Sequence, residues 1–499
     1  MYRYYYPVVT AEEAAAMIED GQTVAFSGFT AAGAPKAVPL ALAKRGKELH
    51  DKGEQFQIRA LSGASTGALD DNLAESNVIS WRAPYQSSRI LRSQINKQQV
   101  RFTDLHLSHL PQMISFGLFG KIDVAVIEAV EITADGRVYL STAIGASPTF
   151  LMYADKVIIE INRYHSVRLN EMADIHVLPP PPHRSPIPIY SPLGKIGLPY
   201  VAIDPKKVIG VVENDQPDGI APLVEPAEVH HKIAEQVVNF LLKELHEGRI
   251  PKDFLPLQAG VGNVANAVMA VLGESSEIPP FYMYTEVLQD SLIDLMEDGK
   301  ILGASTCSLT ISDQTLKRVY EDMDYFAPRI VLRPQELSNN PGVIRRLGVI
   351  SLNTALEADL TGHANSTHIL GKDIVNGIGG SGDFTRNAYL SIFVCPSVAK
   401  GGRISTIVPM VTHGDNNEHS VQVLVTEQGL ADLRGLDPME RTRRIINNCA
   451  HPAYRDYLWK YWKESPVGHI RQDLSRCFEL HQNLVESGQM LPDLDLSQF

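Results

Sequence analysis

Short, nearly uninterrupted apolar runs alternate along this chain with stretches of helical period. Residues 24–26, 123–127, 156–161 and 207–212 read as strands buried on both faces, the pattern of a mainly parallel sheet covered by helices. Residues 10–20 predict a helix with Thr10 and Glu13 at capping-box spacing, and residues 37–44 predict the next one. Residues 226–247 form a longer amphipathic helix, with Ile233, Val237, Leu241 and Leu245 on one face and Gly248 as its stop. Beyond it, residues 329–332, 404–408 and 421–426 read as strands. Residues 437–494 are helical in pattern, and their Tyr454, Trp459 and Trp462 are expected to pack rather than to do chemistry. Residues 179–199, with four consecutive prolines, predict an extended excursion.

One stretch organises the rest. A strand over residues 281–284 runs into a helix with Leu288, Leu292 and Leu295 at i, i+4, i+7 and Gly299 as its stop, which places Glu286 at the junction. A carboxylate at the carboxyl end of a strand in an α/β protein faces the crevice where such folds bind ligands. Taken alone, an acid in a first helical turn is more often a solvated residue favoured by the helix dipole.

The second half echoes the first. LSGASTGAL from Leu61 returns as LGASTCSL from Leu302, LSHLPQMISFG from Leu107 as LSNNPGVIRRLG from Leu337, and IGASPT from Ile144 as IGGSGD from Ile378. Offsets of roughly 230 to 240 residues are far longer than a solenoid repeat. The expected architecture is therefore two related open α/β domains, residues 1–225 and 226–499, with mainly parallel sheets and the active site between them. No counterpart of TEVLQD exists in the first half, so Glu286 is an unduplicated acid on a duplicated scaffold.

Composition narrows the function. A chain of 499 residues with 44% hydrophobic and 21% charged positions is globular, and a net charge of −13 argues against a nucleic-acid or membrane-surface partner. A polyanionic ligand would need a local cation, for which Lys400 and Arg386 are candidates. Four scattered cysteines with no CxxC give neither a disulfide framework nor a thiolate metal site. No run reaches the ~20 apolar residues of a membrane span, so a cytoplasmic protein is expected. His413, Asp415 and His419 match no standard metal spacing, and no metal is expected.

Two glycine turns could bring backbone N–H groups against a ligand: LQAGVGNVANA from Leu257 and NGIGGSGD from Asn376. They support two readings. In a dinucleotide enzyme, Gly260, Gly262 and Ala265 form the phosphate turn and Glu286, roughly 20 residues on, takes a ribose hydroxyl. In the other, Glu286 is a nucleophile acting on a thioester.

The motifs SGFTAAGAPKAVPLA, SWRAPYQS, IDVAVIEA, LPLQAGVGNVANAVMA, MYTEVLQD, RPQELSNNP, GHANSTH, NGIGGSGDF and VTEQGLADLRG span nearly the whole chain. Together they resemble class I CoA-transferases of the acetyl-CoA hydrolase/transferase family, and within it the propionyl-CoA:succinate and succinyl-CoA:acetate branches. That resemblance implies transfer of CoA between carboxylic acids through a glutamyl-CoA thioester at Glu286, with acyl-CoA hydrolysis by the same glutamate as the alternative. It puts oxyanion donors at the N–H groups of Val261 and Gly380. CoA contacts would fall on Gln258, Ala259, Gly260, Val261, Gly262, Asn263, Asn376, Gly380 and Lys400. Asn339 and Glu427 would help place the acyl group and the glutamate. Coenzyme A would be a substrate rather than a resident cofactor, and the assembly a homodimer. YTEV stands where many members carry Ser-Glu-Asn-Gly. Gly219 occupies the region where succinyl-CoA:acetate enzymes tend to carry an arginine, which favours the propionyl branch.

Overall fold

A computed structural model describes residues 5–221, 225–260 and 262–499. The fold is mixed α/β with mainly parallel sheets, and the chain divides into two compact units. The first comprises Met1–Pro222, Tyr282–Leu347 and Asn376–Asp383; the second comprises Leu223–Phe281, Gly348–Val375 and Phe384–Phe499. Two segments from beyond residue 226 thus belong to the first unit.

The first unit is built on strands β1 (Thr23–Phe26), β2 (Ile58–Leu61), β3 (Ile79–Ala83), β4 (Arg101–Phe102), β5 (Ile122–Ile132), β6 (Arg137–Leu140), β7 (Ala154–Asn162), β8 (Val201–Ala202) and β9 (Val208–Asn214). Seven of them run parallel in the order β4-β3-β2-β1-β5-β7-β9. β6 and β8 extend the far end of β5 as an antiparallel flap. The continuous apolar runs have the cause proposed for them: every residue of β1, and all of β7 from Val157 onward, is buried. Helices Ala11–Ala16, Ala37–Asp51 and Ala68–Glu75 cover the sheet, packing Ala14, Val38, Leu42 and Leu73 against Val24, Phe26 and Ile58. The capping box is present, with Glu13 N donating to Thr10 Oγ1 at 3.1 Å and Thr10 N to Glu13 Oε2 at 2.8 Å.

In the second unit, strands Leu257–Ala259, Ile350–Thr354, Leu390–Val394 and Val423–Thr426 pair in parallel in that order, and Gly429–Asp432 closes the edge as an antiparallel hairpin. Helix Glu228–His246 buries the face of Ile233, Val237 and Leu241 and packs on helix Asn263–Glu274. Tyr454, Leu458 and Tyr461 of the tail are buried against Phe393, Leu424 and Ile445, so the tail completes this unit's core. No helix among the described residues is long and apolar enough to cross a membrane.

Three local expectations are corrected. Leu288 is not helical: Val287–Leu288 forms a short strand paired with Ser308–Leu309, and the helix begins at Asp290. Strand pairing there supplies the backbone bonds that a first helical turn would leave unmade. The strand expected over residues 404–408 is broken. Ile404–Ser405 pairs with Val398–Ala399, while Ile407–Val408 pairs with Glu357–Asp359. The first helix ends at Ala16, short of residue 20. Of the three echoed motifs, two keep their element type: Leu110–Ser115 and Pro341–Leu347 are both helices, as are Ser147–Tyr153 and Ser381–Asn387.

Candidate active site

Strand Phe281–Tyr284 delivers Glu286, and its neighbours fix the backbone there. Thr285 N donates to Ser305 O at 2.9 Å, and Glu286 O accepts from Cys307 N and Thr306 Oγ1, both at 2.9 Å. Tyr284 OH reaches Leu337 O at 2.7 Å, tying the strand to the helix Gln335–Ser338 that precedes Asn339. The main chain therefore leaves the Glu286 side chain little freedom of placement.

The carboxylate lies against two other segments. Asn339, fully buried, donates Nδ2 to Glu286 Oε1 at 2.6 Å and also faces Asp383 Oδ2 at 3.2 Å. Gly380 lies so close that a β-carbon built on it would fall onto the Glu286 carboxyl group and Asn339 Nδ2. Only a residue without a side chain fits that spot. Asp383 is itself held by Ser108, whose N donates to Oδ2 at 3.1 Å and whose Oγ donates to Oδ1 at 2.6 Å.

The glycine loop from Asn376 to Gly380 is laid on the first unit rather than on its sequence neighbours. Asn376 Nδ2 donates to Tyr85 OH at 3.0 Å, Ile378 N donates to Asp104 at 2.9 and 3.1 Å, and Leu107 N donates to Gly379 O at 3.2 Å. β-Carbons on Gly377 and Gly379 would lie 3.1 and 3.4 Å from the Tyr85 ring. The chain can approach the ring this closely because those positions carry no side chain.

Ionisation follows from this enclosure. Burial pushes the Glu286 carboxyl up to about 7; the Asn339 hydrogen bond works against that rise, and the charge of Asp383 adds to it. Burial pushes Asp383 up to about 6, opposed by Ser108, Asn339 and the charge of His109. Tyr85 is raised to about 12, by burial first and with the Glu286 charge contributing, so it stays a phenol. The arrangement is a buried carboxyl pair sharing one amide, able to present a poorly solvated carboxylate nucleophile near neutral pH.

Of the residues singled out from sequence, Glu286, Asn339, Gly380 and Asn376 come together in the first unit. Gln258, Ala259, Gly260, Gly262, Asn263, Lys400 and Glu427 belong to the second. There, Gln258 and Ala259 end a buried strand, Gly260 N donates to Leu352 O at 3.1 Å, Gly262 adopts φ +132°, and Asn263 opens a helix. Lys400 is exposed with φ +54°. Glu427 accepts from Ser397 N at 2.8 Å, from Ser397 Oγ and from Gln428 Nε2 at 3.1 Å. Arg386 is exposed on helix Ser381–Asn387. Val261 lies outside the described residues.

Sequence reading missed Asp383, Ser108, Asp104 and Tyr85. Asp383 closes the NGIGGSGD loop and Tyr85 stands in SWRAPYQS, so both were in view as parts of motifs, but neither carried a signal of its partner.

Among the described residues, one group of metal-type donors converges: Glu128, His165 and Asp218. Lys36 Nζ already contacts Glu128 Oε2 at 2.5 Å and Asp218 Oδ1 at 2.7 Å. Burial works against that ammonium, yet the two carboxylates hold its pKa above the ordinary value, so the cation place is taken by a side chain.

Comparison with known proteins gives the family. The acetyl-CoA hydrolase/transferase N-terminal domain model matches residues 1–213 and the C-terminal domain model matches residues 316–462. The chain is 57% identical to the propanoyl-CoA:succinate CoA transferase of Escherichia coli K12, over 97% of this chain and 98% of that protein. It is 47% identical to the succinyl-CoA:acetate CoA-transferase of Clostridium kluyveri, over 97% and 90%. It is also 42% identical to an acetyl-CoA hydrolase of Schizosaccharomyces pombe, over 95% and 94%. Among solved structures, RipA from Yersinia pestis superposes with a TM-score of 0.70 at 25% identity, covering 93% of this chain and 98% of that one. With matches to both domain models and relatives aligned over nearly their full length, the chain belongs to the acetyl-CoA hydrolase/transferase family of enzymes.

Proposed function

We propose that this chain moves CoA between two carboxylic acids, taking propionyl-, succinyl- or acetyl-CoA as donor, through a covalent thioester at Glu286. One observation carries the reading: the Glu286 carboxylate is wedged between the Asn339 amide and the bare Cα of Gly380, in surroundings that raise it to about 7. Desolvation of this kind makes a weak nucleophile reactive.

In the forward half-reaction, Glu286 attacks the thioester carbonyl. The tetrahedral intermediate expels CoA thiolate and leaves a mixed anhydride of Glu286 and the donor acid. The thiolate then attacks the glutamyl carbonyl, the donor carboxylate leaves, and the enzyme holds CoA as a glutamyl thioester of energy similar to the starting one. An acceptor carboxylate reverses the steps. We assign oxyanion stabilisation to the N–H groups of Gly380 and Val261, a contribution of order 3 kcal/mol per donor in comparable sites. Asn339 and Glu427 are assigned to placing the acyl group and the glutamate. The 258–263 turn, Asn376, Gly380 and Lys400 are assigned to CoA. Residue 226 is kept as the start of the second of two related domains, and the reading includes a cytoplasmic homodimer.

Hydrolysis by the same glutamate is the second reading, favoured by the likeness to the yeast protein named acetyl-CoA hydrolase. The two differ in whether water or a carboxylate resolves the thioester. Incubation with acyl-CoA and no acceptor should give a peptide containing Glu286 with CoA attached, seen by mass spectrometry and absent in Glu286→Ala. Succinate or acetate should then discharge it far faster than water. An enzyme that turns over fully as Glu286→Ala would overturn the assignment, and discharge by water alone would leave the hydrolase.

A further inference from the structure

We infer that Asp383 is a positioning residue whose carboxylate holds the Asn339 amide with its N–H edge on Glu286 through the whole reaction cycle. The inference rests on the covalent reading above.

An asparagine amide is nearly symmetric in shape, so its hydrogen-bond partners decide which edge points where. Asn339 is fully buried, and among the described residues no donor meets its Oδ1. Its orientation is therefore set from the Nδ2 side, by Glu286 Oε1 at 2.6 Å and Asp383 Oδ2 at 3.2 Å. With both acceptors ionised, a reversed amide would turn Oδ1 toward two carboxylates. That state is strongly disfavoured.

The two acceptors differ in what the reaction does to them. Glu286 becomes an anhydride and then a thioester, losing its charge and most of its strength as an acceptor. Asp383 is not consumed. It is 3% exposed and anchored from a separate segment by Ser108 N and Oγ at 3.1 and 2.6 Å, so it keeps its place while Glu286 changes. Asn339 Nδ2 thus continues to donate to the glutamyl carbonyl oxygen when the acceptor acid must attack that carbonyl. The proximity of Gly380 to both Glu286 and Asn339 puts all three groups under the constraint of one loop, residues 376–383.

Asp383 also adds repulsion that acylation of Glu286 relieves, in keeping with its part in raising the Glu286 carboxyl. The charged and titratable groups around the pair are His109, which acts on Asp383, and Tyr85 and the buried Cys307 thiol, which both feel Glu286. Asp104 binds the loop at Ile378, and His106 lies against Gly382.

The test compares Asp383→Asn, Asn339→Ala, the double variant and Ser108→Ala with the unsubstituted enzyme. The readouts are kcat, KM for acyl-CoA, the rates of formation and discharge of the Glu286 adduct, and the acid limb of the pH profile. Asp383→Asn allows the reversed amide and should lower kcat by roughly ten- to a hundredfold, with discharge hit hardest and KM changed less than about twofold. Its acid limb should move to higher pH, because the Asn339 N–H lost from Glu286 holds that carboxyl down by more than the Asp383 charge pushes it up. In the Asn339→Ala background the same change should cost less than about threefold, since a residue acting through Asn339 has nothing left to position. Ser108→Ala, which keeps the carboxylate but frees it, should show a smaller loss of the same kind and keeps the test available if Asp383→Asn does not fold. Independent, multiplying losses, an unmoved acid limb or an unchanged discharge rate would each overturn the inference. Absence of any adduct on the unsubstituted enzyme would instead overturn the covalent reading beneath it.

Discussion

Replacing Glu286 by glutamine should abolish the covalent adduct and yet stabilise the protein, and the pH dependence of that gain follows from the site. The ordinary carboxyl value of 4.5 is raised to about 7 in the folded protein, by burial first and by Asp383, against the Asn339 bond. Between those values the folded state binds more protons than the unfolded one, so the stability contributed by Glu286 falls as pH rises through that window and levels off above it. At ~1.4 kcal/mol per tenfold change in the proton equilibrium, the fully ionised carboxylate costs the folded state about 3 kcal/mol. Glutamine keeps the length of the side chain and an oxygen to accept from Asn339, but has no charge to desolvate. The assay is the difference in thermal or urea midpoint between Glu286→Gln and the parent from pH 4.5 to 8.5. The difference should be near zero at the acid end, grow through pH 5 to 7, and be flat above about pH 8. A difference independent of pH, or a variant less stable than the parent at pH 8, would refute the claim that desolvation dominates at this carboxylate.

Gly380→Ala places a methyl group on the Glu286 carboxyl and the Asn339 amide; overpacking of this kind costs about 1–3 kcal/mol, and turnover should fall by at least ~100-fold if the proposed oxyanion donor is displaced with it, measured as kcat and as the adduct rate. Arg82 is 1% exposed and holds Asp70 with Nε at 2.8 Å and NH2 at 3.1 Å, together with Ser62 Oγ and Ala64 O. Arg82→Ala should therefore cost about 3–5 kcal/mol by leaving a buried carboxylate unpaired. Arg82→Met combined with Asp70→Leu should recover much of that loss in a denaturation midpoint.

What the amino-acid order determined by itself is local. The apolar run of β7, the capping box at Thr10, the one-sided helix Glu228–His246 and the delivery of Glu286 by strand Phe281–Tyr284 all depend on residues within a few positions of each other. Periodicity reports which way a side chain points relative to its own element, and motif resemblance reports the family. Tertiary structure decided the rest, because neither signal names a partner. The loop at Asn376 finds Tyr85 across 291 positions, and Asp383 finds Ser108 across 275. Strand pairing likewise took Leu288 from the helix its spacing suggested. A hydrogen bond between distant segments exists only once packing has excluded water and brought both groups to one place. The acid, the Asn339 amide and Gly380 were therefore legible in the sequence through their motifs, while the second carboxylate, Asp383, and the contacts that hold these groups together emerged only on folding.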